Sequence, residues 1–182
     1  YLNISQERSF LSSKYVLNAD AFGHIIDSLL QEKKAAWMKF SNQAQLTPLA
    51  QKITQAAYVY PYANRRERYA LIRGKTALKK DSTYFNFRKF LNYGEHDLVY
   101  FEPYITYMMS YLSQEALEEG QLFVQEKNKT EFNVKRIQLI DDRISNPILR
   151  NILARTVAFE ELLNFRNHLY HEKFLQFFIA VN

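Results

Sequence analysis

Hydrophobic positions recur every three or four residues along most of this chain, which is the period of a helix face. The clearest run predicts a helix over 20–41, with Asn18 or Asp20 as its N-cap. Lys33 lies on the same face, and we expect its stem to follow the face while its amine reaches water. The apolar members of the face are Phe22, Ile25, Ile26, Leu29, Leu30, Ala36, Trp37 and Phe40.

Two further helices have a start signal in which a capping residue precedes a proline. Thr47 precedes Pro48, and Asn146 precedes Pro147. Pro61 falls inside the first of these helices and predicts either a kink or a division into two helices. The full set comprises a short helix or lead-in segment within 1–17 and helices at about 20–41, 48–72, 84–93, 101–120, 131–144, 147–163 and 171–181.

The chain has the composition of a folded helical protein. It is 182 residues long, 47% hydrophobic and 15% aromatic, and it has only 4 Gly and 4 Pro for turns. We predict an all-α fold, an irregular stack of about seven or eight antiparallel helices in a single domain. No apolar run approaches the ~20 residues of a membrane span. We expect the chain to be a piece of a longer protein.

Aromatic residues are concentrated between 81 and 119, and we expect most of them to be buried, since burying aromatic rings is a large favourable term. These rings, with Arg88 and Lys89 between them, could stack on nucleic-acid bases. Aromatic rings at helical spacing are more typical of a core, and we favour that interpretation. The rings are Tyr84, Phe85, Phe87, Phe90, Tyr93, Tyr100, Phe101, Tyr104, Tyr107 and Tyr111.

The net charge of +5 is unevenly distributed. Residues 61–90 hold nine of the 24 Lys and Arg residues and only two acidic ones. Such a patch can bind phosphates, but we favour the interpretation that it is a solvated helix end and loop. We therefore rank nucleic acid last among the partners considered.

One short motif points to catalysis. Arg166, Asn167 and His171 resemble the Arg-Asn-x-x-x-His motif of HEPN-type ribonucleases, which are helical bundles. In that alternative His171 would move the 2′-hydroxyl proton, Arg166 would neutralise the phosphorane charge, and Asn167 would orient them. The resemblance extends no further along the chain, and the preferred interpretation is a polar helix start with no catalytic role.

No residues predict a cofactor or a metal site. The chain has no cysteine, which excludes thiolate ligands and thiol catalysis within it. His168 and His171 share a helix face, but no third ligand follows at a matching spacing. We expect the acidic pairs Asp141-Asp142 and Glu160-Glu161 to be solvated charges.

A broader resemblance covers about residues 18–182. It depends on the long helix at 20–41, on AAYVYPYANRRERYA, on DSTYFNFRKFLNYGEHDLVYFEPYITYMMSYLSQEAL and on ISNPILRNILARTVAFEELL. In this order the pieces resemble the helical region that precedes the thioredoxin-like domain of extracytoplasmic TlpA-type thiol-disulfide proteins of bacteria. The Cys-x-x-Cys of that family is absent from this chain, so the resemblance assigns it no catalytic residue.

The resemblance implies a non-catalytic interaction or accessory domain, periplasmic or membrane-anchored through its parent protein, which would be the thiol-disulfide oxidoreductase. Its partners would be a client protein, its own thioredoxin-like domain or a second copy. We expect a partner surface on the helix over 48–72, since that helix has more tyrosine than one buried face requires. The candidate residues are Tyr58, Tyr60, Tyr62, Arg65, Arg66 and Tyr69.

Overall fold

A computed structural model describes residues 4–73, 83–120 and 129–164 and the single positions 175, 176 and 179. Within the three continuous ranges the chain is helical and has no strand, so the predicted all-α class is confirmed. The predicted helix at 171–181 lies outside these ranges. The α-helices are α1 Ile4–Ser13, α2 Ala19–Ala44, α3 Pro48–Arg73, α4 Glu102–Gly120, α5 Lys129–Arg143 and α6 Pro147–Asn164, and the 3₁₀ helices are Lys14–Val16, Thr83–Phe90 and His96–Leu98.

The chain divides into two compact units, Tyr1–Leu91 and Asn92–Asn182. Each has buried apolar residues of its own. The aromatic stretch at 81–119 contributes to both units, because the boundary falls inside it. That the units make a single domain stays a prediction. Among the described helices none combines the length and the apolar composition needed to cross a membrane.

The first unit is built on the antiparallel pair α2 and α3. Asn18 caps α2 as predicted, since its Oδ1 accepts a hydrogen bond from the Ala21 amide at 2.8 Å. Tyr69 on α3 is fully buried and stacks on Phe22 of α2, with ring centroids 4.4 Å apart. The Tyr69 hydroxyl donates to the Leu17 carbonyl at 2.7 Å, which satisfies its polar end. The buried cluster is Leu11, Phe22, Ile26, Tyr62, Tyr69, Ala70 and Tyr84.

The apolar face predicted for α2 is buried only in its first half. No residue of 27–55 is buried, so the loop end of the α2–α3 pair extends beyond the core of its unit. Ala36 and Phe40, which we expected to be buried, are exposed. The period of the pattern predicted the helix correctly, but the helix continues past the residues that could cover its face.

Three details of this pair can be compared with expectation. Pro61 lies inside a continuous α3, so the alternative of two separate helices is wrong. The Lys33 amine, which we expected to reach water, pairs with Glu7 of α1 at 3.0 Å, and 33% of the Lys33 side chain is exposed. Thr47 caps α3 as the sequence indicated, since its Oγ1 accepts from the Ala50 amide at 3.3 Å.

The rings of the aromatic stretch are not all buried. Tyr84, Tyr104 and Tyr107 are buried, but Phe90 is 87% exposed and Tyr100 is 75% exposed. Both exposed rings lie where regular structure ends or has not yet begun, since Phe90 is the last residue of the Thr83–Phe90 helix and Tyr100 precedes α4. The short helix predicted here is a 3₁₀ helix, and a second one, His96–Leu98, replaces the predicted loop.

The second unit packs α4, α5 and α6 against one another. Asn146 caps α6, because its Oδ1 accepts from the amides of Ile148 at 3.0 Å and Leu149 at 3.1 Å. The apolar faces of the three helices meet in a core whose buried members include Tyr107, Met108, Leu112, Ile137, Ile140, Leu149, Leu153 and Val157.

Candidate functional site

Two of the five arginines of the basic segment, Arg66 and Arg88, are bound by carboxylates. Arg88 donates from Nε to Glu67 Oε1 at 2.8 Å and from Nη2 to Oε2 at 2.7 Å. Arg66 donates to Asp27 Oδ1 at 2.5 Å and to the Gly23 carbonyl at 3.1 Å. These two cations therefore stabilise the first unit and are not offered to a phosphate, which weakens the nucleic-acid interpretation of this segment.

The rings around these arginines also pack against the cations. The Arg88 guanidinium lies 4.1 Å from the Phe85 ring centroid, and the Arg66 guanidinium lies 5.2 Å from that of Phe87. A cation over a ring face is attracted by the ring quadrupole. The interleaved arginine and aromatic residues thus form internal contacts, in agreement with the expectation of a core.

Most of the proposed partner surface on α3 is buried. Tyr60, Tyr62, Arg66 and Tyr69 all lie inside the first unit, and only Tyr58 and Arg65 are half-exposed. The nomination of the four buried residues is corrected here. A helix can bury several tyrosines when their hydroxyls find partners, as Tyr62 does by donating to Glu7 Oε1 at 2.8 Å.

The second unit contains a buried polar network that the sequence did not indicate. Glu161 on α6 is fully buried and accepts hydrogen bonds from Thr130 at 2.8 Å and from Asn133 at 2.6 Å. Arg136 is buried beside it and donates to Glu160 Oε2 at 2.6 Å. Glu161 was expected to be solvated, and that expectation is wrong.

Most polar groups of the network pair with one another, although the buried Arg136 Nε has no hydrogen-bond partner among the described residues. Asn133 uses both ends of its amide, since its Oδ1 also accepts from Arg136 at 3.1 Å. A buried carboxylate that accepts two hydrogen bonds avoids the full cost of losing water. The network therefore fastens α5 to α6.

His96 is the described histidine of the second unit, and its ring contacts a helix cap. His96 Nδ1 lies 3.1 Å from the Asn146 side-chain nitrogen, and Asn146 also caps α6. The described residues contain no group of three or more His, Asp or Glu side chains that could hold a metal ion. Arg166, Asn167, His168 and His171 lie outside the described residues, so the ribonuclease alternative stays a prediction.

Two regions with exposed apolar side chains stand out in the described part of the chain. The first, called the hairpin end, is the end of the α2–α3 pair that carries Met38, Phe40 and Leu49, each about half exposed and within about two turns of the loop that joins the helices. Sequence reasoning missed this surface because it assigned Phe40 to the core.

The second surface is called the α6 end. It consists of Phe159, Leu162 and Leu163, which are 63%, 51% and 72% exposed. Residues three and four apart lie side by side on a helix, so these three side chains form one apolar face. Glu161 lies in the same turn and points into the core. One face of α6 is therefore packed inside the second unit, and the face with Phe159, Leu162 and Leu163 is exposed.

Comparison with protein-family models, with curated proteins and with solved structures finds no match for this chain. The described residues define an all-α protein with two compact units, a buried charged network in each and two exposed apolar surfaces.

Proposed function

We propose that this chain is a non-catalytic helical accessory region of an extracytoplasmic thioredoxin-like thiol-disulfide protein. The redox chemistry belongs to another part of the same polypeptide, and this region acts by contact. The resemblance of its helix order to the helical region of TlpA-type proteins supports this function. The localisation, periplasmic or membrane-anchored, is part of the same proposal.

The observation that carries the proposal is the uncovered face at the α6 end. Phe159, Leu162 and Leu163 are large apolar side chains on one helix face, exposed in the last two turns of α6. Fully burying one such side chain stabilises a complex by about 1.5–3 kcal/mol. A surface of this kind is typical of a contact site.

The proposal assigns the α6 end to the thioredoxin-like domain of the same polypeptide. In the proteins that this chain resembles, that domain follows the helical region, and α6 is the last helix of the continuously described ranges. A client protein or a second copy could also cover the face, and the experiments below distinguish them.

The first test is to read the gene on both sides of the segment that encodes this chain. The proposal predicts a Cys-x-x-Cys in a thioredoxin-like pattern after residue 182 and an export signal before residue 1. A reading frame without the Cys-x-x-Cys contradicts the proposal. So does purified protein that cleaves RNA and loses that activity in His171→Ala.

The second test uses the parent polypeptide. Replacing Phe159 and Leu163 together by serine should separate the thermal unfolding of the helical region from that of the redox domain, while the wild type unfolds with coupled transitions. The matched control replaces Phe90 and Tyr100 by serine, since these rings are at least as exposed. If the two unfolding transitions remain coupled in the α6 variant, the α6 end contacts another partner. Sedimentation then shows whether that partner is a second copy of the chain.

A further inference from the structure

The hairpin end combines exposed apolar side chains with an unbalanced positive charge. Residues 33–64 contain four lysines and no acidic residue, and of these lysines Lys33 is paired with Glu7 of α1. Lys34 and Lys39 are exposed on α2, Lys34 about one turn before Met38 and Lys39 between Met38 and Phe40. The partner that complements this end of α2 and α3 is therefore anionic and apolar at once.

The arrangement of the apolar side chains indicates what kind of partner this is. Met38 and Phe40 are two residues apart, which is about 200° around a helix, so they project from different sides of α2. A rigid protein surface covers one side of a helix. The interface of a bilayer is fluid and surrounds whatever enters it, so it accommodates both sides together.

We infer that the hairpin end binds the surface of an anionic lipid bilayer, with Met38, Phe40 and Leu49 entering the interface and Lys34 and Lys39 contacting the headgroups. This is the chemistry of interfacial helices, in which buried apolar area and attraction to anionic lipid add together. It requires no membrane span, and it holds whether or not the proposed function is correct.

Two other occupants fit the observations less well. A second copy would bring an equal set of lysines against the first, and like charges repel. An acidic protein would satisfy the lysines, but a single surface leaves either Met38 or Phe40 uncovered. Both are outcomes of the experiment below.

The chain contains its own reporter for this contact. Trp37 is its only tryptophan, lies three residues before Phe40, and is half-buried with its Nε1 donating to Thr54 at 2.9 Å. The experiment titrates the 182-residue chain with mixed phosphatidylglycerol and phosphatidylcholine vesicles and with pure phosphatidylcholine vesicles. We expect binding to the anionic vesicles, a blue shift of the Trp37 emission, quenching by brominated lipid and weakening by salt.

Two double variants test the two parts of the surface. Lys34→Gln with Lys39→Gln should weaken binding about 25-fold, at about fivefold for each lysine near an anionic surface. Phe40→Ser with Leu49→Ser should weaken it at least about tenfold, since both apolar side chains leave the interface. Both variants change exposed side chains, and circular dichroism verifies that the helices are intact.

Two control variants remove the same kinds of side chain from positions outside the hairpin end. Lys89→Gln with Arg155→Gln removes two charges from exposed positions outside the hairpin end, and Phe90→Ser with Tyr100→Ser removes two exposed rings. Each control should change the affinity for anionic vesicles by no more than about twofold, apart from the small loss that any reduction in the net positive charge of the chain causes.

Four binding results would overturn the inference. They are failure to bind anionic vesicles, equal loss in the charge control, binding without quenching of Trp37, and binding of polyglutamate in place of vesicles. Self-association that disappears in the Phe40 and Leu49 variant would also overturn it, by assigning the surface to a second copy.

Discussion

Arg88 and Glu67 are joined by two parallel hydrogen bonds of 2.8 and 2.7 Å, with the carboxylate fully buried. They lie 21 residues apart in the chain and connect α3 to the Thr83–Phe90 helix. Bidentate pairing of this kind is stronger and more directional than a single ion pair. It attaches a short 3₁₀ helix, which has little stability of its own, to the core of the first unit.

Removing the arginine of this pair should be costly. Arg88→Met leaves the Glu67 carboxylate buried without its bidentate partner, and we expect a loss of about 3 kcal/mol in the free energy of unfolding. Adding Glu67→Leu to the same protein should recover a large part of that loss, because the Arg88–Glu67 pair then leaves no charge buried. Urea denaturation of both single variants and the double variant measures the coupling. Additive losses in the double variant would show that the two residues act independently.

The network around Glu161 makes a parallel prediction for the second unit. Glu161→Ala leaves the Thr130 hydroxyl and the Asn133 amide without their acceptor, and each loss of this kind costs about 1–3 kcal/mol. Glu161→Gln retains one acceptor oxygen and should cost less. Arg155→Ala on the exposed face of α6 is the control and should change stability by less than about 0.5 kcal/mol. Far-UV circular dichroism in urea provides the measurement, and equal effects of Glu161→Ala and Arg155→Ala would contradict the role given to the network.

Tyr84 should make stability depend on alkaline pH. Burial raises the pKa of its phenol well above the usual value of 10.0, and its hydroxyl donates to the Arg66 carbonyl at 3.0 Å. The folded state therefore retains the proton at a pH where the unfolded state loses it. This contribution is fully present below about pH 10 and is lost as pH rises above that value.

Tyr84→Phe tests this dependence. At neutral pH the variant should lose about 1 kcal/mol with the hydrogen bond, and above about pH 10 its stability should fall less steeply than that of the wild type. Tyr100→Phe, at an exposed ring, is the control and should leave the slope unchanged. An identical alkaline slope in Tyr84→Phe and the wild type would show that the Tyr84 phenol is not protected by folding.

Gln45 occupies a conformation that favours glycine. It ends α2 with φ 46° and ψ 50°, in the left-handed region, and is the only non-glycine residue with positive φ in the described part of the chain. Gln45→Gly should stabilise the first unit by about 0.5–1 kcal/mol, because glycine adopts this conformation without steric cost. Gln43→Gly, inside the helix, should instead destabilise it by about 1 kcal/mol. Thermal unfolding of the two variants distinguishes them, and a destabilised Gln45→Gly would contradict the assigned backbone conformation.

The helices could be predicted from the sequence because their signals are local. The caps Asn18, Thr47 and Asn146 act within three residues of their helix starts, and the structure has all three. Periodicity likewise identifies a helix from a short window. Neither signal contains information about what covers the face, which explains why Phe40 was assigned to the core and is exposed.

The buried charges could not be predicted because their partners are distant in sequence. Glu161 receives its hydrogen bonds from residues 28 and 31 positions earlier, so the local sequence shows only two adjacent acidic residues. The same holds for Tyr62, whose hydroxyl is paired with Glu7, 55 positions away. The hairpin end did have a local signal, since 33–64 is a long stretch with four lysines and no acidic residue.

We propose that this chain acts by contact, through the uncovered face of α6, on a redox domain of the same polypeptide. Hydrogen exchange at the amides of residues 156–163 tests it most directly, measured in the isolated 182-residue chain and in the parent polypeptide. We expect markedly slower exchange in the parent, and Phe159→Ser and Leu163→Ser together should remove the difference. Equal exchange in the isolated chain and the parent would contradict it.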